Sequence, residues 1–346
     1  MKLRLATLDD GSPDGALVVV SEDGTRAVSA AHYAPNLLRA LEQWEQVAPA
    51  LAQLASALDS GEAADVFAFD PALARAPLPR TFQWCDASAF LSHGELMERA
   101  FNIEPMPDAR EIPLMYQGAS DDFLGPCADV PLPDEAHQID FEGEFAVIVG
   151  ATPMGISASD ALDCIRLVVQ LNDWSLRAFG PREMRSGFGF INAKPSTSFA
   201  PIAVTPAALG SAWQGGRLAM TLKVERDGAW FGEPDAREMH FHFGELVAHA
   251  ARTRSLGAGT VIGSGTVSNH STLVGSACIA EKRVIELLDK GASHTPFMRF
   301  GERVRIQGLT TAGRCPFGTI DQRVVRAPSA SSLATSQPGF DLLNTL

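Results

Sequence analysis

The chain has 346 residues, 46% apolar and 20% charged, which is enough for one large domain or two modest ones with real cores. Acidic residues outnumber basic ones 41 to 28, the net charge is −13 and no Lys/Arg run occurs, so nucleic acid and anionic membranes are not expected as partners. The opening MKLRLATLDDG is too short in apolar run for a signal peptide, no apolar stretch could span a membrane, and five scattered cysteines without a CxxC pair read as reduced thiols, so a cytoplasmic protein is expected.

Strand-like pieces at residues 2–7 and 16–21 are separated by Asp/Gly turns. Leu37, Leu41, Trp44, Val47, Leu51, Leu54 and Leu58 then recur at helical spacing, and Gly61 closes the pattern, which predicts one amphipathic helix. The proline-rich PALARAPLPRTF at 71–82 reads as a linker, placing a domain boundary near residue 78. Beyond it a helix runs from Leu91 toward Phe101. Another opens at Ser157, with Asp160 as its capping-box partner, and carries Ile165, Val168 and Val169. A third holds Leu246, Val247 and Ala250, and strands are expected at 145–149, 218–225, 260–262 and 317–325. Strands and helices do not alternate regularly, which predicts an α+β, mainly β fold. The Ser/Ala/Pro-rich stretch at 327–346 reads as a flexible tail.

Two motifs do not carry chemistry in their context. GAGTVIGSG at 257–265 mimics a dinucleotide fingerprint but follows a helix and encloses a strand-like TVIG, so its glycines read as turns. In MHFHF, His240 and His242 would share a strand face, yet no further zinc ligands are evident nearby.

The stretch IDFEGEFAVIVG at 139–150 is different. Alternation along a strand puts Asp140, Glu142 and Glu144 on one face, directly before an apolar run. No Lys or Arg lies between 134 and 150 to balance them. Acids converging without counter-charges demand a cation, and an all-oxygen set selects Mg²⁺ or Ca²⁺, with Mn²⁺ also possible. Asp86 in WCDASAFLSH, seven residues before His93, and Asp173 in QLNDWSLRAFG, read as the end of an apolar helix, are the further carboxylates that could complete such a shell.

Together these pieces resemble the fumarylacetoacetate hydrolase family. The matching elements, in order, are Asp86 with His93, LMYQG at 114–118, DFEGEFAVIVG at 140–150, NDWSLR at 172–177, FINAKPSTSFAPIAV at 190–204, GSGTVSN at 263–269 and FGERVRI at 300–306. The resemblance covers about residues 80 to 325. It implies a catalytic domain at 79–326 built as a rolled mixed β-sheet, a small α/β barrel-like domain at 1–78, and a homodimer.

It further implies a metal held by Asp86, Glu142, Glu144 and Asp173, with Asp140 left to hydrogen-bond nearby or meet solvent. By the same resemblance His93 matches a general base oriented by Glu281, with Glu95 as the rival partner. Arg177 and Lys194 match cations that stabilise an oxyanion and a leaving enolate. Tyr116 and Thr266 match substrate contacts, Arg99 could meet a substrate carboxylate, and Ser88 is a candidate contact that departs from the tyrosine carried there by the family's fumarylacetoacetate-cleaving members. Gly180 and Met184 likewise replace a glutamine and an aromatic residue. The implied activity is hydrolysis of a carbon–carbon bond in a 1,3-dicarbonyl acid such as fumarylacetoacetate, as in aromatic amino-acid catabolism. The alternative is a decarboxylase, hydratase or isomerase acting on a small 2-oxo acid.

Overall fold

The computed structural model describes residues 1–101 and 104–328. The tail expected over 327–346 falls outside the described residues from position 329 onward. No helix among the described residues is long and apolar enough to cross a membrane.

The chain begins with β1 (Arg4–Leu8), β2 (Ala16–Val20), β3 (Arg26–Ser29), α1 (Leu37–Glu42), α2 (Trp44–Ser60) and β4 (Phe67–Ala68). Next come β5 (Trp84–Ala87), α3 (Leu91–Phe101), β6 (Met115–Gly118), β7 (Val130–Leu132), β8 (Ile139–Asp140) and β9 (Gly143–Val149). The middle holds α4 (Ala158–Cys164), β10 (Ile165–Asn172), β11 (Ser175–Leu176), α5 (Gly180–Ser186), β12 (Ser198–Phe199) and β13 (Ala203–Val204). The last third holds α6 (Pro206–Leu209), β14 (Trp213–Gln214), β15 (Arg217–Leu218), β16 (Met220–Arg226), β17 (Ala229–Gly232), α7 (Phe243–Ala250), β18 (Val261–Gly263), α8 (Ile279–Lys290), β19 (Arg303–Thr310) and β20 (Thr319–Arg326).

One large sheet runs in the order β4-β3-β2-β1-β13-β10-β9-β18-β5-β6, with β12 also paired to β10. It is mixed, because β18 and β5 run parallel while its other pairs are antiparallel. A second sheet runs β17-β16-β19-β20-β7 and shares a hydrophobic core with the first. The mainly β architecture is therefore as expected, and the N-terminal strands extend the large sheet through the β1–β13 pairing.

Strand β9 sits between two cores because its alternating side chains enter both. Phe145, Val147 and Val149 join Leu222, Val224, Ile306 and Ile320 of the second sheet. Ala146 and Ile148 face the other way, toward Leu37, Leu41, Trp44 and Leu51 of α1 and α2. Glu144 has the parity of Ala146 and Ile148, so it enters the N-terminal layer's side of the sheet at its end.

Four local expectations are corrected. The helix expected from Leu37 to Leu58 is broken at Gln43, whose non-helical backbone (φ −117, ψ 28) ends α1 and precedes α2. Ile165, Val168 and Val169 lie in β10, and Asp173 follows a strand, not a helix. An apolar run buried on both faces has no helical or strand period to read, and β9 supplies the backbone partners that decide for the β-branched residues. The strand expected over 218–225 is split between β15 and β16 at Ala219. His240 and His242 share no strand face. His242 caps α7, accepting from the Gly244 amide at 3.1 Å, and His240 Nε2 meets the Arg110 carbonyl at 2.8 Å.

Candidate metal and acid–base site

The strand ends of the large sheet bring four carboxylates together. Asp86 comes from β5, Glu144 from β9, Glu142 from the residue before β9 and Asp173 from the residue after β10. One oxygen from each lies within 4.8 Å of every other, and all four residues are buried. The antiparallel register places Glu144 opposite Leu171, so the start of β9 and the end of β10 coincide. Gly143 separates the two glutamates on the opposite side, where a β-carbon would press on Leu222 at 2.6 Å. The room that this glycine leaves is filled by the second sheet. Gly263 is needed for a different reason: a β-carbon there would run into Asp86 Oδ1 and the Trp84 ring. The Gly265 amide donates to Asp86 Oδ1 at 3.1 Å.

Two cations flank the cluster. Lys194 Nζ donates to Glu142 at 2.8 Å and to Asp173 at 2.6 Å. Arg177 pairs with Asp140 at 2.9 Å and touches Glu142 Oε1. Asp173 also accepts from Thr197 Oγ1 at 2.8 Å and from the Tyr116 hydroxyl. Glu142 accepts from Ser175 Oγ at 3.2 Å, and its amide is held by Asn172 Oδ1 at 2.9 Å. Asp140 does not meet solvent: it is wholly buried and hydrogen-bonded.

Among the described residues, Asp86 and Glu144 have no cation of their own, and both oxygens of Glu144 are buried without a hydrogen-bond partner. A buried carboxylate in that state is costly unless a positive charge joins it. Burial, and then the charge of Asp173, push the Asp86 carboxyl up to about 7. Burial, followed by Asp86 and Asp173, likewise drives Glu144 well above the usual carboxylate range. Burial would also raise Glu142, but Arg177 and Lys194 outweigh it and hold that group below its ordinary value. The donor set and the orphaned Glu144 oxygens therefore fit a hard divalent cation bound by oxygen.

The second constellation is an acid–histidine pair. His93, in the first turn of α3, presents Nδ1 to Glu281 Oε2 at 2.8 Å. Glu281 sits in the first turn of α8 and is buried, whereas His93 keeps partial access to solvent. The rival, Glu95, is occupied elsewhere, by Arg110 at 2.7 Å.

A family model described as fumarylacetoacetate (FAA) hydrolase C-terminal matches residues 83–325, and one described as fumarylacetoacetase N-terminal domain 2 matches residues 3–80. The chain belongs to the fumarylacetoacetate hydrolase family. Among curated relatives, this family member is 23% identical to the mitochondrial oxaloacetate tautomerase of Rattus norvegicus over 154 residues, 44% of this chain and 48% of that protein. The chain spans about half the length of the curated relatives it matches. In fold it resembles maleylpyruvate hydrolase from Sphingobium sp. SYK-6, with TM-score 0.62 and 18% identity over 94% of this chain and 100% of that one. It also resembles fumarylacetoacetate hydrolase from Exiguobacterium antarcticum, with TM-score 0.63 and 15% identity over 94% and 99%.

In this family member Asp86, Glu142, Glu144, Asp173, Arg177, Lys194 and Tyr116 form one connected group. Thr266 is buried beside Gly265, whose amide holds Asp86, and Ser88 is exposed next to the same turn. Arg99 is exposed in the last turn of α3, and none of its hydrogen bonds or ion pairs among the described residues reaches the acids. Sequence reasoning passed over Asn172, Ser175 and Thr197, which brace Glu142 and Asp173, and Phe190, whose ring meets Tyr116 edge to face at 5.0 Å. Asn172 and Ser175 flank Asp173 in the quoted NDWSLR, so their signal was adjacency. Thr197 and Phe190 lie on either side of Lys194 in the quoted FINAKPSTSFAPIAV, so their signal was adjacency too.

Proposed function

We propose that this protein is a divalent-metal-dependent hydrolase that cleaves a carbon–carbon bond in a 1,3-dicarbonyl acid such as fumarylacetoacetate. The observation that carries this reading is the His93–Glu281 pair at 2.8 Å, a water-activating arrangement beside a buried carboxylate cluster suited to a metal. Asp86, Glu142, Glu144 and Asp173 would hold Mg²⁺, Ca²⁺ or Mn²⁺, and the bound ion would supply Lewis-acid polarisation of the two carbonyl oxygens. The crystal structure of that maleylpyruvate hydrolase in complex with manganese (II) ion and pyruvate supports an ion and a small oxo acid in this fold.

With Nδ1–H donated to the Glu281 carboxylate, His93 keeps its lone pair on Nε2, where it takes a proton from water. The water oxygen adds to one carbonyl carbon. The carbon–carbon bond then breaks with its electron pair moving onto the leaving fragment as an enolate, and the proton held by His93 returns to that fragment's carbon. Arg177 and Lys194 place positive charge where the oxyanion and enolate form. The substrate is a small molecule, with Tyr116, Thr266, Ser88 and Arg99 as its proposed contacts. The scattered cysteines support a cytoplasmic location, and the family resemblance supports a homodimer and a place in aromatic amino-acid catabolism such as tyrosine degradation. A monomer in micromolar sedimentation would count against the dimer.

A second reading is a 2-oxo-acid decarboxylase, hydratase or isomerase. Ser88, Gly180 and Met184, which depart from the fumarylacetoacetate-cleaving pattern, favour it, as does the oxaloacetate tautomerase among the relatives. The deciding experiment is turnover of fumaryl- or acyl-acetoacetate, with and without chelator. Hydrolysis requires two acid fragments, loss of activity on chelation and recovery with Mg²⁺, while His93→Ala should lower kcat by about 10²–10⁴-fold. Carbon dioxide release, hydration or tautomerisation of 2-oxo acids, without fragmentation of the dicarbonyl, would shift the assignment to the second reading.

A further inference from the structure

Asp140 has the alternation that would aim it beside Glu142 and Glu144, yet its carboxylate does something else. It ends β8, is wholly buried, and every contact it makes is with a donor. Oδ1 accepts the Ile279 amide at 2.7 Å, and Oδ2 accepts the Ala280 amide at 2.9 Å. Arg177 Nε also donates to Oδ2 at 2.9 Å. The two amides are the first two of α8, and they would otherwise be among the unpaired donors of a helix start. The next residue along is Glu281, the partner of His93.

The surrounding backbone keeps this junction in register. Glu142 bridges to Cys278, the Gly143 amide donates to Ala277 at 3.0 Å, and Cys278 Sγ accepts the Glu281 amide at 3.3 Å. Residues 140–143 and 277–281 are therefore stitched side by side. Among the described residues, Asp140 is the one side chain hydrogen-bonded to both the α8 start and the guanidinium that flanks Glu142.

We infer that Asp140 is a positioning residue: it fixes the first turn of α8 so that Glu281 meets His93 Nδ1, and it shares the Arg177 guanidinium with Glu142. Two consequences follow from the geometry. Without the carboxylate, α8 loses the anchor for both amides, and Glu281, one residue further on, gains freedom to rotate away from His93. Arg177, no longer shared, transfers its whole charge to Glu142. A buried carboxylate is a costly way merely to fill space, since an apolar side chain of similar volume would serve packing as well or better. Its three donors account for its presence.

The test uses the full-length, Mg²⁺-saturated protein, and its kinetic arm alone rests on the hydrolase reading. Long-range proton–nitrogen spectra of histidine-labelled protein report the His93 tautomer, with the signal assigned from His93→Gln. In the wild type His93 is expected as the Nδ1–H tautomer, and in Asp140→Asn as a mixture of tautomers. In turnover, Asp140→Asn should lower kcat about tenfold with KM changed by less than about threefold, and Glu281→Gln should lower it by about 10²-fold. The double variant Asp140→Asn/Glu281→Gln should be no slower than Glu281→Gln by more than about threefold, because residues acting through one another are not additive.

Asp140→Ser, which keeps one oxygen acceptor in less space, gives a second reading of the same quantities if Asp140→Asn does not fold. An unchanged His93 tautomer in a folded Asp140 variant, or a double variant whose losses multiply, overturns the inference. If the wild type cleaves no dicarbonyl substrate, the hydrolase reading fails while the tautomer comparison still decides the role of Asp140.

Discussion

At the scale of single residues, the site works because a few positions have no alternative. Gly263 lies opposite Asp86 in the β18–β5 register, and any β-carbon there collides with the Asp86 carboxylate and the Trp84 indole. Gly263→Ala should therefore displace Asp86 and weaken Mg²⁺ binding by at least about tenfold, since neighbours of metal ligands typically matter at that level. Titration calorimetry checks it, and wild-type affinity in that variant would refute the crowding argument. A pH effect follows from the raised groups. In the metal-free protein the folded-state values of Asp86 and Glu144 lie above those of the unfolded chain, so their contribution to stability is present below the unfolded value and is lost as pH rises through the raised values, about 7 for Asp86. Glu142, held low, has already made its contribution above the ordinary carboxylate range and does not oppose this trend. Metal-free protein should accordingly melt lower at about pH 8 than at about pH 5.5, and Mg²⁺ should raise Tm more at the higher pH, where it displaces fewer protons. A larger Mg²⁺ shift at the acidic end would contradict the assignment.

At the scale of elements, legibility tracked periodicity. The helix at Ile279–Lys290 went unread although it carries Glu281, and the run ending at Asp173 was read as a helix when it is β10. In the first case the pattern was present, since Val284, Ile285, Leu287 and Leu288 follow helical spacing and Gly291 closes the helix, whereas in the second burial on both faces erased the period. Glu142 and Glu144 were nonetheless legible, because strand parity and a missing counter-charge are local properties of DFEGEF, while Asp86 and Asp173 joined them through the family resemblance. What no local pattern could give was the bracing, such as the Asp140 contact to α8, which spans 139 residues of sequence. One short element invites its own test. Glu183 in α5 accepts the amides of Ile191, Asn192 and Ala193 at 3.1, 2.8 and 3.1 Å, shaping the turn that delivers Lys194. Glu183→Ala should open that turn, speed tryptic cutting at Arg182 and Arg185, and lower kcat/KM by about tenfold. Unchanged proteolysis and kinetics would mean that Lys194 is placed by its ion pairs alone.

At the scale of the whole molecule, the question is whether the division proposed near residue 78 is also a division in stability. The apolar face of the catalytic sheet carries Ala146, Ile148, Leu167, Val169, Leu171 and Val261, and these pack in one core with Leu3, Leu5, Leu17, Leu37, Leu41, Trp44 and Leu51. Burying one such large side chain is worth about 1.5–3 kcal/mol, and a folded protein's net stability is about 5–15 kcal/mol. Uncovering even a handful of these positions would exceed the margin, and Glu144 enters the site from the same face of β9. The protein truncated to residues 79–346 is therefore expected to aggregate, or to lose both its cooperative melt and its Mg²⁺-induced rise in Tm, rather than to behave as an independent catalytic domain. Size-exclusion chromatography and a circular-dichroism melt decide the matter. A monodisperse truncated protein that melts sharply and responds to Mg²⁺ would show that the N-terminal segment is an accessory. Loss of both would show that the two sequence-defined units fold as one, with the N-terminal layer acting as the lid of the core on which the acid cluster is built.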